Sequence, residues 1–179
     1  MVGPGRQERA WIRGAQAGSA SDLEALFREH WPRAHRAAFL VVQDAAAAED
    51  IAQEAFLAAV RNLDRFDRRR PFGSWLHRIV VNRSIDWARA RRLRREAGEV
   101  ETAEGESDTG DLGNPFSEGI AAGLASLRPE QRAVIVLRYL LEYSPGEIAD
   151  LLDLPRGTVN SRLRRGLDRL EDILDRERR

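Results

Sequence analysis

Along most of its length the chain repeats apolar residues three and four apart, with polar or charged residues between them. That spacing predicts helices with one buried face. Alternating apolar and polar runs are nearly absent, as are Asn-Gly and Asp-Gly hairpin turns, so no strands are expected. Ser21-Asp-Leu-Glu24 reads as a capping box opening a helix through about Val42, which Pro32 should kink or interrupt. A second helix is predicted from about Ala46 to Asn62 and a third from about Ser74 to Arg95, separated by the polar loop Leu63–Gly73. Further helices are expected near 116–126, 129–142, 145–152 and 156–176. Pro129 and Pro145 suit first helical positions, and Ser144-Pro-Gly-Glu147 is another capping box. The fold class is all-α.

Charge divides these helices into two groups. The 179 residues hold 29 cations, every one Arg, and 29 acids, for a net charge of zero. A balanced charge argues against nucleic-acid binding, because such domains usually carry excess positive charge. The distribution along the chain alters that view. Residues 61–95 carry +9 and residues 156–179 carry +3, while residues 96–118 carry −8. The acidic stretch is rich in Gly, Glu, Ser, Thr and Asp and reads as a flexible, self-repelling linker. The resulting organisation is a partly helical N-terminal extension (1–20), a helical domain (21–95), the acidic linker (96–115) and a second helical domain (116–179). Without Cys there is neither a disulfide framework nor a thiolate metal site. Arg6, Glu8, Arg9 and Arg13 interrupt any apolar signal segment, and no apolar run approaches the roughly 20 residues that span a bilayer. A cytoplasmic protein with no membrane insertion is expected.

The stretch from Ser144 to Leu170 reads as helix, short turn, helix. Ile148, Ala149, Leu152, Leu154 and Val159 fall where two such helices must touch, and Asp153, in place of the usual turn Gly, tolerates a left-handed backbone. On the last helix Val159, Leu163, Leu167, Leu170 and Leu174 share one side, and Asn160, Ser161, Arg164, Arg165 and Asp168 the other. Amides, hydroxyls and guanidiniums are the groups that reach base edges and phosphates in a major groove. An amphipathic helix with a solvated Arg face fits the same pattern.

Two faces of the first domain also stand out. In the second helix Ala48, Ile51, Ala55 and Ala59 make a core side, while Asp50, Gln53, Glu54 and Arg61 surround Leu57 on the other. Leu57 is either a docking point for a basic protein partner or a lone exposed apolar residue. In the loop before the third helix, arginines are interleaved with Phe66, Phe72 and Trp75. Rings that stack on bases, beside cations that track a backbone, suit single-stranded nucleic acid; a merely solvated basic loop is the other reading.

Taken in order, D-I-A-Q-E-A-F (Asp50–Phe56), F-D-x-x-x-P-F-G-S-W-L-H-R-I-V-V-N-R (Phe66–Arg83), a polar tether, L-R-P-E-Q-R-A-V-I-V-L-R-Y (Leu127–Tyr139) and G-E-I-A…P-R-G-T-V-N-S-R-L-R-R (Gly146–Arg165) resemble the extracytoplasmic-function, or group 4, sigma factors of bacterial RNA polymerase. The resemblance covers roughly residues 20–95 and 115–175. It implies that the first domain is sigma region two, gripping the β′ clamp helices of core RNA polymerase through Asp50, Gln53, Glu54, Leu57 and Arg61. It further implies that the loop Leu63–Phe72 captures a base flipped from a melted −10 element, with Phe66, Arg68, Arg69, Phe72, Trp75, Arg78, Asn82, Arg83 and Asp86 as the DNA-binding set and Asn82 at the base-reading position. Flipping a base costs a few kcal/mol of unstacking, so such a pocket needs a stacking partner. The second domain would be region four, reading a duplex −35 element through Arg156, Thr158, Asn160, Ser161, Arg164 and Arg165 and meeting the β flap with another surface. The resemblance also implies regulation by an anti-sigma factor.

Asn160 stands at a position often basic in the family and Arg164 at a variable, often aromatic one, so promoter preference does not carry across. Asp86 places a carboxylate on the presumed −10 face, where it either repels phosphate or accepts a hydrogen bond from cytosine. No further C-terminal domain is expected. Enzyme readings find no support: His30 and His35 lie about 140° apart on a helix, His77 sits in another element, and no phosphate-binding glycine motif is present. No cofactor and no metal are expected. The reading from another class is a stand-alone helix-turn-helix regulator whose first domain is a sensor or interaction module.

Overall fold

The computed structural model describes residues 5–98 and 118–177. Its helices are α1 (Arg6–Gln16), α2 (Ala20–Val42), α3 (Ala45–Arg61), α4 (Phe72–Glu96), α5 (Glu118–Ala125), α6 (Pro129–Ile135), α7 (Pro145–Leu152) and α8 (Arg156–Glu177). A short 3-10 turn, Leu63–Arg65, follows α3, and α6 continues as a π-helical turn over Val136–Leu140. No strand occurs among the described residues. Most of the acidic linker, residues 99–117, lies outside them.

Local chemistry sets the helix ends. The cap of α2 is Ser19, two residues before the expected box: its hydroxyl accepts from the Asp22 amide at 3.3 Å. Pro32 does not interrupt α2. It lies on the exposed side, where water can serve the carbonyl that loses its amide donor. Asp44 caps α3 by accepting from the Ala47 amide at 3.0 Å, and Arg91 of α4 pairs with the same carboxylate. Ser144 and Glu147 form the reciprocal capping box of α7, and Asp153 closes that helix in the left-handed region at φ 55°.

Helices α1–α4 pack around Ile12, Leu26, Ile51, Phe56, Phe72, Leu76 and Val80, with Ala34, Ala38, Ala48, Ala55 and Ala59 letting the helices approach closely. Helices α5–α8 enclose Leu137, Ile148, Val159 and Leu163. At Gly166 a Cβ would lie 2.7 Å from Ile135 Cδ1, so α8 comes close to α6 there and a larger residue would displace the end of the Ile135 side chain.

The two modules do not stand apart. Ala37, Leu40 and Val41 of α2 and Val81 and Ile85 of α4 are buried in the same cluster as the core of α5–α8. Three polar ties cross the junction. Arg132, almost wholly buried, donates through Nη1 to the Val41 carbonyl at 2.6 Å and through Nη2 to the Ala125 and Leu127 carbonyls at 2.9 and 3.0 Å. The Tyr143 hydroxyl lies 2.8 Å from His77 Nδ1 and donates to Ser74 Oγ at 3.3 Å. Arg89 Nε meets Glu130 Oε1 at 2.5 Å.

Burial, reinforced by the nearby His30 and Arg33, pushes the His77 imidazole down to about 3, so it is neutral. An unfolded imidazole takes up a proton near 6.5. With the folded value depressed, acid favours the unfolded chain: stability is full above about pH 6.5 and falls below it by up to about 1.4 kcal/mol per pH unit. Asp44 and Glu130 titrate in a separate window. Against the upward push of burial, the Ala47 amide and Arg91 hold Asp44 low, and Arg89 does the same for Glu130. Their contribution is lost only below the ordinary carboxylate range, near pH 4. Denaturant melts at pH 7.5 and 5.0 should therefore show a drop in wild type that His77→Gln largely removes. An equal drop in both proteins would place the proton uptake elsewhere.

Candidate nucleic-acid interface

The basic loop is built differently from its sequence-based expectation. Phe66 and Phe72 are 9% and 1% exposed, so neither ring is available to stack on a base. Phe66 stacks on Trp75 with centroids 4.7 Å apart, and Phe72 meets Phe66, Trp75 and Phe56 edge-on or tilted. Both rings belong to the core that α1–α4 share, which leaves the arginines outside. Trp75 is half-buried and keeps part of its ring at the surface. Arg68 and Arg69 are exposed, and Arg69 is held by Asp67, its Nε donating to Oδ1 at 3.0 Å. That pairing lowers the Asp67 carboxyl and raises the Arg69 guanidinium.

Behind the loop, Arg78, Asn82 and Asp86 follow one another at intervals of four along α4. Arg78, Arg83 and Asp86 are exposed and Asn82 is half-buried. Arg83 Nη1 donates to Glu54 Oε2 of α3 at 2.5 Å, and Asp86 lies 3.9 Å from Arg89, which offsets its charge on this face. A contact that the spacing does not reveal comes from α1: Gln16 Nε2 donates to the Leu63 and Phe66 carbonyls at 2.8 and 3.2 Å. The N-terminal extension thereby fixes the backbone at the base of the loop.

On α3, Ala48, Ile51, Ala55 and Ala59 are buried, while Asp50, Gln53, Glu54, Leu57 and Arg61 are all exposed. Leu57 is 54% exposed at the centre of that face. Beside it runs an aromatic strip absent from the sequence reading: Phe27 stacks on Trp31 and Trp31 on His35 along α2, and Phe27 meets Phe56 edge-on. Its signal was the spacing of four between these rings. His30 and His77, assigned to unrelated places by the spacing, both approach Gly73, but among the described residues no group of three ligands able to hold a metal forms.

In the second module Ile148 and Val159 are fully buried and hold α7 against α8. Arg156, Asn160, Arg164 and Arg165 are exposed, and Thr158 and Ser161 are half-buried. Leu167 departs from its expected core position and is 39% exposed. The contact line of α8 runs through Val159, Leu163, Gly166 and Leu170, because Gly166 is where α6 comes nearest and Leu170 lies against Gly123. Arg165 also lines a cleft of about 480 Å³ with Arg128, Glu130, Gln131 and Arg162. Arg128 and Arg162 extend the cationic surface beyond the residues singled out by periodicity. Among the described residues no helix is long and apolar enough to cross a membrane.

The Sigma-70 region 2 family matches residues 26–94 and the Sigma-70 region 4 family matches residues 117–170. The extracytoplasmic-function RNA polymerase sigma factor SigL of Mycobacterium tuberculosis is 37% identical over 158 residues, covering 86% of this chain and 89% of its own. SigW of Bacillus subtilis is 37% identical over 140 residues, covering 71% of this chain and 75% of its own. The chain belongs to the extracytoplasmic-function sigma factors. As a sigma factor it directs bacterial RNA polymerase to promoter DNA. The solved structure of CnrH in complex with the cytosolic domain of CnrY matches this sigma factor with a TM-score of 0.69 at 28% identity, covering 94% of this chain and 97% of that one. RpoE of Bartonella quintana, solved with the anti-sigma factor NepR, shares the fold at a TM-score of 0.68 and 21% identity, covering 87% and 98%.

The buried rings yield a direct check. Phe72→Ala should cost about 3–5 kcal/mol in urea denaturation, as for a large core aromatic. Arg69→Ala should stay within about 0.5 kcal/mol of wild type. A Phe72→Ala protein of undiminished stability would return that ring to the DNA-facing surface.

Proposed function

We propose that this sigma factor divides promoter recognition between its two modules. The first docks on the β′ clamp helices of core polymerase through Asp50, Gln53, Glu54, Leu57 and Arg61. It captures the melted −10 element with Trp75, Arg78, Asn82, Arg83 and Asp86 beside the loop arginines Arg68 and Arg69. The second reads the duplex −35 element with Arg156, Thr158, Asn160, Ser161, Arg164 and Arg165, Arg162 and Arg128 contacting phosphates, and meets the β flap. It works in the cytoplasm and performs no chemistry of its own. An anti-sigma factor, as in the RpoE–NepR complex, is its expected regulator. One observation carries this reading: α8 buries Val159 and Leu163 and turns exposed amide and guanidinium groups to the opposite side.

Run-off transcription with purified core enzyme is the test. Tight DNA binding by the free chain with no support of initiation would return the protein to a stand-alone helix-turn-helix regulator.

Two substitutions separate the roles. Asn82→Ala should impair promoter opening, read by permanganate footprinting, and leave core binding intact; equal loss of both would remove Asn82 from base reading. Arg165→Ala should cost about 1–3 kcal/mol of discrimination among −35 variants, while Arg162→Ala should weaken all variants alike and lower the salt slope by about one. Unchanged discrimination in Arg165→Ala would take that residue off the contact set.

A further inference from the structure

We propose that Gln16 is a positioning residue for base capture: from the end of α1 it fixes the loop backbone behind the Trp75 ring, so that the −10 pocket is formed before DNA arrives. The inference rests on the sigma reading above and deepens its −10 half. Helix α1 precedes residues 26–94, which match the Sigma-70 region 2 family, so Gln16 lies outside the matched segment.

The contact reaches across the first module. Gln16 Nε2 donates to the Leu63 carbonyl at 2.8 Å and to the Phe66 carbonyl at 3.2 Å. Leu63 begins the 3-10 turn that leads into the basic loop, and Phe66 caps it. Phe66 in turn stacks on Trp75, with centroids 4.7 Å apart and 26° between the ring planes. Trp75 is half-buried and belongs to the set that the sigma reading gives to the melted strand. Gln16 thus acts on a captured base through Phe66 and Trp75, and not by touching DNA.

Helix α1 is held firmly enough to serve as the anchor. Ile12 is fully buried in the core of α1–α4, and Glu8 Oε1 lies 3.0 Å from His30 Nε2 of α2. The Ser19 amide closes the end of α1 by donating to the Gly14 carbonyl at 2.9 Å, with Gly18 at φ 89°. Gln16, half-buried in that last turn, is therefore presented from a fixed backbone. The loop needs such an anchor, because residues 67–71 form neither helix nor strand. Flipping a base already costs unstacking energy, and a loop that ordered only on contact would add its own conformational entropy to that cost. Hydrogen bonds formed in advance remove the addition, which is how pre-organisation raises affinity.

The test uses the full chain assembled with core polymerase. The probes are a single-stranded oligonucleotide with the −10 sequence that the wild-type holoenzyme selects from a randomised pool, and the same strand made abasic at each position in turn. Wild type should bind the intact strand more tightly than the strand abasic at the captured base. Gln16→Met keeps the side-chain length and removes the donor; it should weaken binding of the intact strand about tenfold, the scale of losing both hydrogen bonds from a pre-organised site. Binding of the abasic strand, which does not use the pocket, should hardly change, so the ratio between the two collapses. Gln16→Lys keeps donors at a similar reach and should restore most of that ratio, since its added charge acts on both strands alike. Affinity for core polymerase and the near-UV circular dichroism should be the same in all three proteins. Equal ratios in wild type and Gln16→Met overturn the inference and leave the sigma reading standing, as does a Gln16→Lys ratio no better than that of Gln16→Met. Parallel loss of core affinity and of both strands also overturns it, by making Gln16 a residue of the fold alone. A wild-type holoenzyme that binds intact and abasic strands equally overturns the base-capture reading together with the inference.

Discussion

Arg132 concentrates the constraint on which the closed molecule depends. A guanidinium taken out of water must find acceptors or destabilise the fold, and here three backbone carbonyls supply them. Two belong to the approach to α6, so Arg132 first organises its own module. The third is Val41, at the end of α2, so the same side chain fixes where the first module sits. Burial lowers Arg132 to about 10, which leaves it charged at neutral pH. A lysine in its place would shed its proton far more readily and could not fork toward three carbonyls at once.

The use of arginine alone among the cations acquires a structural meaning from such sites. Arg83 reaches Glu54, Arg91 reaches Asp44 and Arg89 reaches Glu130, so three members of the basic block are spent on ties between helices. None of these half-exposed pairs contributes more than about 1 kcal/mol. Their effect is positional. Glu54–Arg83 joins the α3 face to the α4 stripe, two surfaces with different proposed partners. The guanidiniums left over, at Arg68, Arg78, Arg164 and Arg165, lie outside the buried cores, where phosphate can compete for them.

Much of this was legible in the sequence, and the exceptions share a cause. Helix positions, the Ser144 box, the left-handed Asp153 and the exposed Leu57 each follow from local spacing or the chemistry of one residue. Phe66 and Phe72 did not, because a ring beside arginines looks the same whether the backbone turns it inward or outward. Leu167 was misplaced because the step of three was read one turn too late, from Leu167 to Leu170, where the real contact line takes it from Leu163 to Gly166. Arg132, Tyr143 and Gln16 were invisible because their partners lie far along the chain. No periodicity encodes a side chain that bonds a carbonyl 91 residues away.

Closure has a different consequence for each half of the proposed interface. The second module faces the first with α6, the π turn and α7, while α8 makes its main contacts within its own module, with α5, α6 and α7. Asn160, Arg164 and Arg165 thus stay open to solvent in the closed state. On α4, by contrast, the residues flanking the proposed −10 stripe, Val81, Ile85 and Arg89, are engaged by the second module.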